Sequence, residues 1–196
     1  MRRLFGRRRG RGQSLVEFTM ILPIVMTLAL SIAEFGVAFG TNMTMIEATR
    51  EAARVGAVLG NGSKSFGCPG YPTATNVDPQ IIAAVQRVVE APGSGMDANF
   101  IDWIHIYDYS NPGTYNEWKH KDSSHAGVPV CGVTLDFYQV SAPWAASSRT
   151  AAVPVQSLAV AIQYRYKLFT PLSALTHLFG VGQITMVDST VMDIEP

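Results

Sequence analysis

Residues 10–40 read GRGQSLVEFTMILPIVMTLALSIAEFGVAFG, a basic segment followed by a long apolar run. Phe18 to Ala33 carries no charged side chain, and apolar residues resume after Glu34. At about 1.5 Å per residue, a helix over 18–40 is roughly 34 Å long, whereas the hydrocarbon layer of a bilayer is about 30 Å thick. We therefore expect a membrane-spanning helix at about 18–40.

The basic segment predicts the orientation of this helix. The first eleven residues contain no acid and six arginines, namely Arg2, Arg3, Arg7, Arg8, Arg9 and Arg11. Positively charged flanks stay in the cytoplasm, so we expect a single-pass protein of the cytoplasmic membrane with an exported C-terminal domain.

Three interpretations of the N-terminal segment remain open. It is a plain signal anchor, or a secretory signal cut after the small residues Ser31-Ile32-Ala33, or a helix processed on its cytoplasmic side. The long apolar run and its continuation beyond residue 33 disfavour the secretory signal. Cleavage after Gly12 would make Gln13 the new amino terminus and Glu17 the fifth residue of the mature chain. An acid at the mouth of an apolar run is costly in lipid, which indicates a function for it.

The order of basic leader, glycine and acid resembles the type IV prepilin signal. The run Gly12-Gln13-Ser14-Leu15-Val16-Glu17-Phe18, with Leu22-Pro23, resembles the TadE-like pseudopilins of tight-adherence (Flp-type) pilus systems. Glu34-Phe35-Gly36 and the Ala/Arg/Glu-rich stretch 48–57 continue the resemblance, which is specific over about residues 10–60. A weaker similarity follows in the last third of the chain, over 164–195.

The resemblance implies a role for four residues at this site. A prepilin peptidase would cut between Gly12 and Gln13, and Glu17 with Phe18 would serve recognition and later assembly. Glu17 would pair with the terminal amine of a neighbouring subunit, an amine that exists only after cleavage. A charged amine offsets part of the cost of a buried carboxylate. For Glu34, a position at the outer membrane interface is favoured over a contact with another helix.

The chain divides into a cleaved leader (1–12), an N-terminal helix (13–59) and an exported α+β domain (60–196). The segment 41–59 lacks proline and is rich in good helix formers, so we expect the helix to continue beyond the membrane and to end at Gly60. Its predicted apolar stripe consists of Phe39, Met43, Ile46, Ala53 and Ala57.

The exported domain is expected to hold an antiparallel sheet of about four strands, as in other pilins and pseudopilins. Asp78-Pro79 predicts a helix with Asp78 as its N-cap, which Ala91-Pro92-Gly93 ends, and 171–179 predicts a short helix or turn. Alternating apolar residues predict strands at 100–109, 128–140, 158–168 and 184–194. The second of these strands would place Cys131, Val133, Leu135 and Phe137 on one face. Loops are expected at 60–77, 114–127 and 141–154.

Cys68 and Cys131 both follow the membrane segment, where an oxidising exterior favours a disulfide between them. Such a bridge would close a loop of about 64 residues and stabilise the domain by roughly 4 kcal/mol. Two unrelated thiols are the alternative.

The sequence lacks the motifs of common catalytic, phosphate-binding and metal sites. There is no Gly-x-Ser-x-Gly elbow, no Gly-Lys-Ser/Thr phosphate loop and no Cys-x-x-Cys or His-x-x-x-His pattern. We expect neither an enzyme nor a cofactor or metal, and isolated histidines such as His105 are expected to be structural. His120 and His125 are expected in a solvated loop, and Tyr164 and Tyr166 in the core.

Charge argues against nucleic acid as a partner. The chain has fifteen basic and fifteen acidic residues, and loss of the arginine leader would leave nine basic residues against those fifteen acids. The expected function is that of a non-enzymatic minor pseudopilin in Tad/Flp-type pilus assembly. Its expected partners are the membrane, a prepilin peptidase and other pilin or pseudopilin subunits. The alternative is a signal-anchored exported domain with a binding or adhesive role.

Overall fold

The computed structural model describes residues 10–62, 77–170 and 183–195. The chain divides into two compact units. Of the described residues, the first unit holds 10–37 and 167–170, and the second holds the remainder. The expected helix or turn at 171–179 and most of the expected loop at 60–77 lie outside the described residues.

One long helix, α1, runs from Gly10 to Leu59 and contributes to both units. It continues through Pro23, whose carbonyl accepts a hydrogen bond of 2.8 Å from the Thr27 hydroxyl. The helix ends where Gly60 adopts a left-handed φ of 52° and donates its N–H to the carbonyl of Gly56 at 3.0 Å. The predicted end of the N-terminal helix is therefore confirmed, because glycine adopts this conformation without steric cost.

Among the described residues, α1 is the one helix that is long and apolar enough to cross a membrane. Its side chains from residue 13 to residue 33 are exposed, apart from the half-buried Leu30. Large apolar side chains cover this surface, including Phe18 at 63 % exposure and Ile32 at 73 %. So much exposed apolar surface requires lipid or neighbouring helices.

The second unit contains one further helix and seven strands among its described residues. Their bounds are α2 Val77–Val89, β1 Ile101–Asp108, β2 Tyr115–His120, β3 Pro129–Val130, β4 Val133–Thr134, β5 Phe137–Ser141, β6 Ser157–Tyr166 and β7 Ile184–Asp193. Five strands form an antiparallel sheet in the order β5-β2-β1-β6-β7, and β3 and β4 form a separate two-stranded hairpin. The predicted α+β class is confirmed, and the sheet has one strand more than expected.

The additional strand is β2, in the segment 114–127 for which we predicted an exposed loop. Asn116 and Trp118 are buried, whereas Glu117 and Lys119 between and after them are paired at 2.9 Å on the opposite face. The polar composition of this segment concealed a period of two, which is why the loop prediction was wrong here.

The expected continuous strand at 128–140 is also wrong. Cys131 and Gly132 adopt positive φ angles of 54° and 77°, which turn the chain into the β3-β4 hairpin. Leu135 and Phe137 are buried as predicted, but Val133 is 58 % exposed. A tight turn at these two residues interrupts the alternation that a single strand would need.

The strand β6 confirms its prediction most closely. Its apolar positions point to the core and are buried, namely Leu158, Val160, Ile162, Tyr164 and Tyr166. On the other face, the small side chains of Ala159 and Ala161 are buried as well. The tyrosines therefore lie in the core, as expected, and not on a nucleic-acid-binding surface.

The second half of α1 packs on the sheet through small residues, and this differs from the predicted stripe. Phe39 and Met43 are 52 % and 48 % exposed, whereas Met45 is fully buried. A Cβ atom placed on Gly56 would lie 2.8 Å from Leu158 Cδ2 and 3.0 Å from the Ile81 side chain. Because the helix approaches both β6 and α2 this closely at Gly56, only a small residue fits there. Elsewhere the core face of α1 combines small residues with Met45, Val55 and Leu59.

The buried face of α1 is Thr41, Met45, Ala48, Thr49, Ala52, Ala53, Val55, Gly56, Ala57 and Leu59. It includes Ala53 and Ala57 of the predicted stripe. Thr49 adds polar contacts: its hydroxyl donates to the Asp188 carboxylate and lies 3.0 Å from the Thr190 hydroxyl on β7. The helix is thereby tied to the edge strand of the sheet.

Candidate assembly site and its surroundings

The N-terminal part of α1 places the predicted assembly residues on one exposed face. Gln13 and Glu17 lie one helical turn apart, and Nε2 of Gln13 donates a hydrogen bond of 3.1 Å to Oε1 of Glu17. Both side chains and the adjacent Phe18 are exposed. The carboxylate thus has a neutral amide partner on its own helix and is accessible to a cationic group from another molecule.

The peptide bond between Gly12 and Gln13 lies within the first turn of α1. Glycine disfavours the helix by about 1 kcal/mol relative to alanine, and Gly10 and Gly12 both lie in this turn.

Hydroxyl groups in the apolar segment are satisfied within the helix itself. Thr19 donates to the carbonyl of Leu15 at 2.7 Å, and Ser31 donates to that of Thr27 at 2.7 Å. These bonds let polar side chains lie in an apolar environment without a partner from another segment. Glu17 differs, because it is charged and an amide does not neutralise it.

Glu34 has an environment that neither sequence interpretation anticipated. Its side chain is buried, with only 6 % of the residue exposed. Oε1 accepts the backbone N–H of Phe169 at 3.1 Å, and Oε2 accepts that of Thr170 at 3.0 Å. The carboxylate therefore holds a distant segment of its own chain, within the same compact unit. Because Glu34 and Phe169 are 135 positions apart, no local sequence pattern predicts this contact.

A buried polar cluster in the second unit was also missed. Nη2 of Arg149 lies 2.6 Å from Oδ1 of Asp78, and the Asn116 amide donates to Oδ2 at 2.6 Å. The Asn116 amide also exchanges two hydrogen bonds of 2.8 Å with the backbone of Trp144. The guanidinium carbon lies 4.4 Å from the centre of the Trp144 ring. The cluster connects α2, β2 and the loop after β5.

The position of Asp78 explains why its expected role was wrong. It lies inside α2 as the second residue rather than before it, and its carboxylate is directed to Arg149. Nε and Nη1 of Arg149 are buried without a hydrogen-bond partner. A buried charge of this kind depends strongly on its one carboxylate, so the pair holds the elements in register.

Of the two cysteines, Cys131 belongs to the part of the chain that the structure describes. Cys131 occupies the turn of the β3-β4 hairpin, whereas Cys68 lies outside the described part of the chain. The disulfide between them stays a prediction.

Aromatic rings line the sheet face opposite the core. The His105 ring stacks between Trp103 and Tyr115, with centroid distances of 3.8 Å and 4.0 Å. Burial lowers the pKa of His105, an effect that the nearby Glu117 carboxylate opposes. A packed and preferentially neutral imidazole fits the expected structural role.

The other histidines of this region divide between strand and loop. His120 lies in β2, whereas His125 lies in an exposed loop, stacks on Tyr138 and contacts the Asp122 carboxylate at 3.0 Å. The expectation of a solvated loop holds for His125 and is wrong for His120. Across the described residues, no group of three or more His, Cys, Asp or Glu side chains is arranged to hold a metal ion.

The depressed pKa of His105 makes the stability of the second unit depend on pH. In the unfolded chain His105 titrates near its ordinary value of 6.5, so below that pH the unfolded state binds more protons than the folded state. The free energy of unfolding is therefore expected to fall as pH drops below 6.5. Replacing His105 by phenylalanine keeps the stacked ring and is expected to reduce this pH dependence. Urea unfolding followed by tryptophan fluorescence across this range tests it, and identical pH slopes for both proteins would contradict the assignment.

Comparison with known protein families gives a match in the N-terminal segment. Residues 12–54 match the TadE-like protein family. The matched range contains Gln13, Glu17, Phe18 and Glu34, and most of α1. Comparisons with curated proteins and with solved structures give no significant match.

Proposed function

From the TadE-like character of residues 12–54, we propose that the protein is a minor pseudopilin that takes part in the assembly of a Tad/Flp-type pilus. The observation that carries this proposal is the position of Glu17. Its carboxylate is accessible on an apolar, exposed helix, five residues after a glycine that ends an arginine-rich leader.

Processing on the cytoplasmic side is the first step of the proposed function. A prepilin peptidase removes residues 1–12 by cutting between Gly12 and Gln13. Two glycines in the first turn of α1 lower the cost of unwinding the backbone for cleavage. The arginine leader keeps this end in the cytoplasm, so the second unit is exported.

Assembly then pairs the Glu17 carboxylate with an α-amine at Gln13, a charged group that the uncleaved precursor lacks. Cleavage gives Gln13 a charged α-amine, and the Glu17 carboxylate of an adjacent subunit receives it. In an apolar bundle, this pairing offsets the cost of removing both ions from water. The internal hydrogen bond from the Gln13 amide holds Glu17 in place until then.

In this proposal the protein has no catalytic function and needs no cofactor. Its partners are the prepilin peptidase, the membrane and other pilin subunits. Binding or adhesion by a signal-anchored exported domain is the second candidate. It is supported by the aromatic rings of Trp103, His105 and Tyr115 on the sheet face opposite the core.

Gene deletion distinguishes the two candidates. In cells that produce Tad-type pili, loss of this protein is expected to remove surface pili, and the intact gene is expected to restore them. Electron microscopy of negatively stained cells and immunoblots of sheared pilin provide the readout. Normal piliation with impaired surface attachment would contradict the pseudopilin proposal and favour the adhesive one.

A further inference from the structure

Two acids flank the uncharged stretch 18–33 of α1, and their separation is short for a bilayer. Glu17 and Glu34 are seventeen residues apart, which corresponds to about 25 Å along a helix, less than the hydrocarbon thickness of about 30 Å. With Glu17 at the cytoplasmic edge, Glu34 lies at the depth of the outer leaflet. A carboxylate at that depth needs polar partners.

The partners come from the segment Lys167–Thr170, which follows β6. The two oxygens of Glu34 accept the backbone N–H groups of Phe169 and Thr170, one each. Glu34 and Thr170 are both buried. These bonds fix the segment at the same depth as Glu34.

The outward side of this segment is apolar. The Phe169 side chain is 60 % exposed beside α1, whose Phe35 is 71 % exposed and whose Ile32 is 73 % exposed. No Asp, Glu, Lys or Arg occurs from Leu168 to Val187. Lys167, just before this stretch, is exposed and carries the charge that anionic phosphate groups attract.

We propose that Lys167–Thr170 is a second membrane-contacting element, with Phe169 inserted among lipid chains and Glu34 as its docking group. The occupant of this surface is the lipid bilayer, because the surface is continuous with the exposed face of the membrane helix. The inference requires that α1 spans the membrane, and it is independent of any role in pilus assembly.

Photo-crosslinking in membranes tests this placement. The full chain carries p-benzoylphenylalanine in place of Phe169 and is reconstituted in vesicles of phosphatidylethanolamine and phosphatidylglycerol. After irradiation, mass spectrometry is expected to find lipid adducts at position 169 at a yield similar to that of the same probe at Ile32. The same probe at Val153, which is 95 % exposed in the second unit, is expected to give none.

Substitution of Glu34 tests the docking group. Glu34→Ala removes the acceptor of both N–H groups, so lipid adducts at position 169 are expected to fall by about tenfold. Glu34→Gln keeps one amide oxygen as acceptor and is expected to give an intermediate yield. The probe at Ile32 reports that α1 is still inserted.

Two results would overturn the proposal. The first is a lipid-adduct yield at position 169 no higher than at Val153, including the case in which the probe attaches only to a second protein chain. The second is an unchanged yield at position 169 in Glu34→Ala, which would show that the carboxylate does not hold this segment.

Discussion

Replacing Glu17 by alanine is expected to lower co-purification of the protein with pilin subunits by about two to three orders of magnitude. Removing one partner of a buried ion pair leaves the other charge uncompensated, which costs about 3–5 kcal/mol. In the proposed assembly, that charge is the α-amine of Gln13 on an adjacent subunit. Since the amine lies in an apolar bundle, no water replaces the lost carboxylate.

The matched control for this experiment is Thr19→Ala, half a helical turn further along α1. Its hydroxyl bonds to the carbonyl of Leu15 within the helix, so its loss is expected to change co-purification little. Glu17→Gln keeps the size and the hydrogen-bonding oxygen but not the charge, and is expected to resemble Glu17→Ala. Unchanged co-purification of both Glu17 variants, with normal piliation, would show that the carboxylate has no role in assembly.

The second large effect concerns the stability of the second unit. Arg149→Ala is expected to lower the free energy of unfolding by about 3–5 kcal/mol, because Asp78 then remains buried without its cation. Its carboxylate keeps only the Asn116 amide as a partner among the described contacts. Urea unfolding of the full chain in detergent, followed by tryptophan fluorescence, measures the change.

A surface ion pair provides the control for Arg149. Arg54 bonds Glu51 with two hydrogen bonds of 2.8 Å and 2.9 Å, but its side chain is 53 % exposed. Arg54→Ala is therefore expected to change the free energy of unfolding little, because solvent screens an exposed ion pair. The double variant Asp78→Leu with Arg149→Met is expected to recover much of the lost stability, since apolar residues of similar volume remove both charges. A loss below about 1 kcal/mol in Arg149→Ala would contradict the structural role of the cluster.

Local patterns predicted the parts of the fold in which each residue type matches its environment. The alternation in β6 and the glycine after Leu59 specified a strand and a helix end without information from elsewhere in the chain. The long apolar helix and the Gly12–Phe18 motif were predictable for the same reason. For this motif, the structure adds one observation, the hydrogen bond between the side chains of Gln13 and Glu17.

The missed features depend on distant residues. Asp78 and Arg149 are 71 positions apart, and Glu34 is 135 positions from Phe169. The face of α1 that packs on β6 could not be identified by hydrophobicity alone. The close approach at Gly56 requires a small residue there, and the large apolar Phe39 and Met43 are exposed although Met45 is buried.

The amino terminus of the membrane-extracted protein is the central measurement. The account predicts a mature chain that begins at Gln13, retains Glu17 and the whole apolar helix, and is found in the membrane fraction. Intact-mass and N-terminal peptide mass spectrometry determine the terminus directly. An intact Met1 in cells with active prepilin peptidase, or a chain that begins at Glu34, would contradict processing at Gly12.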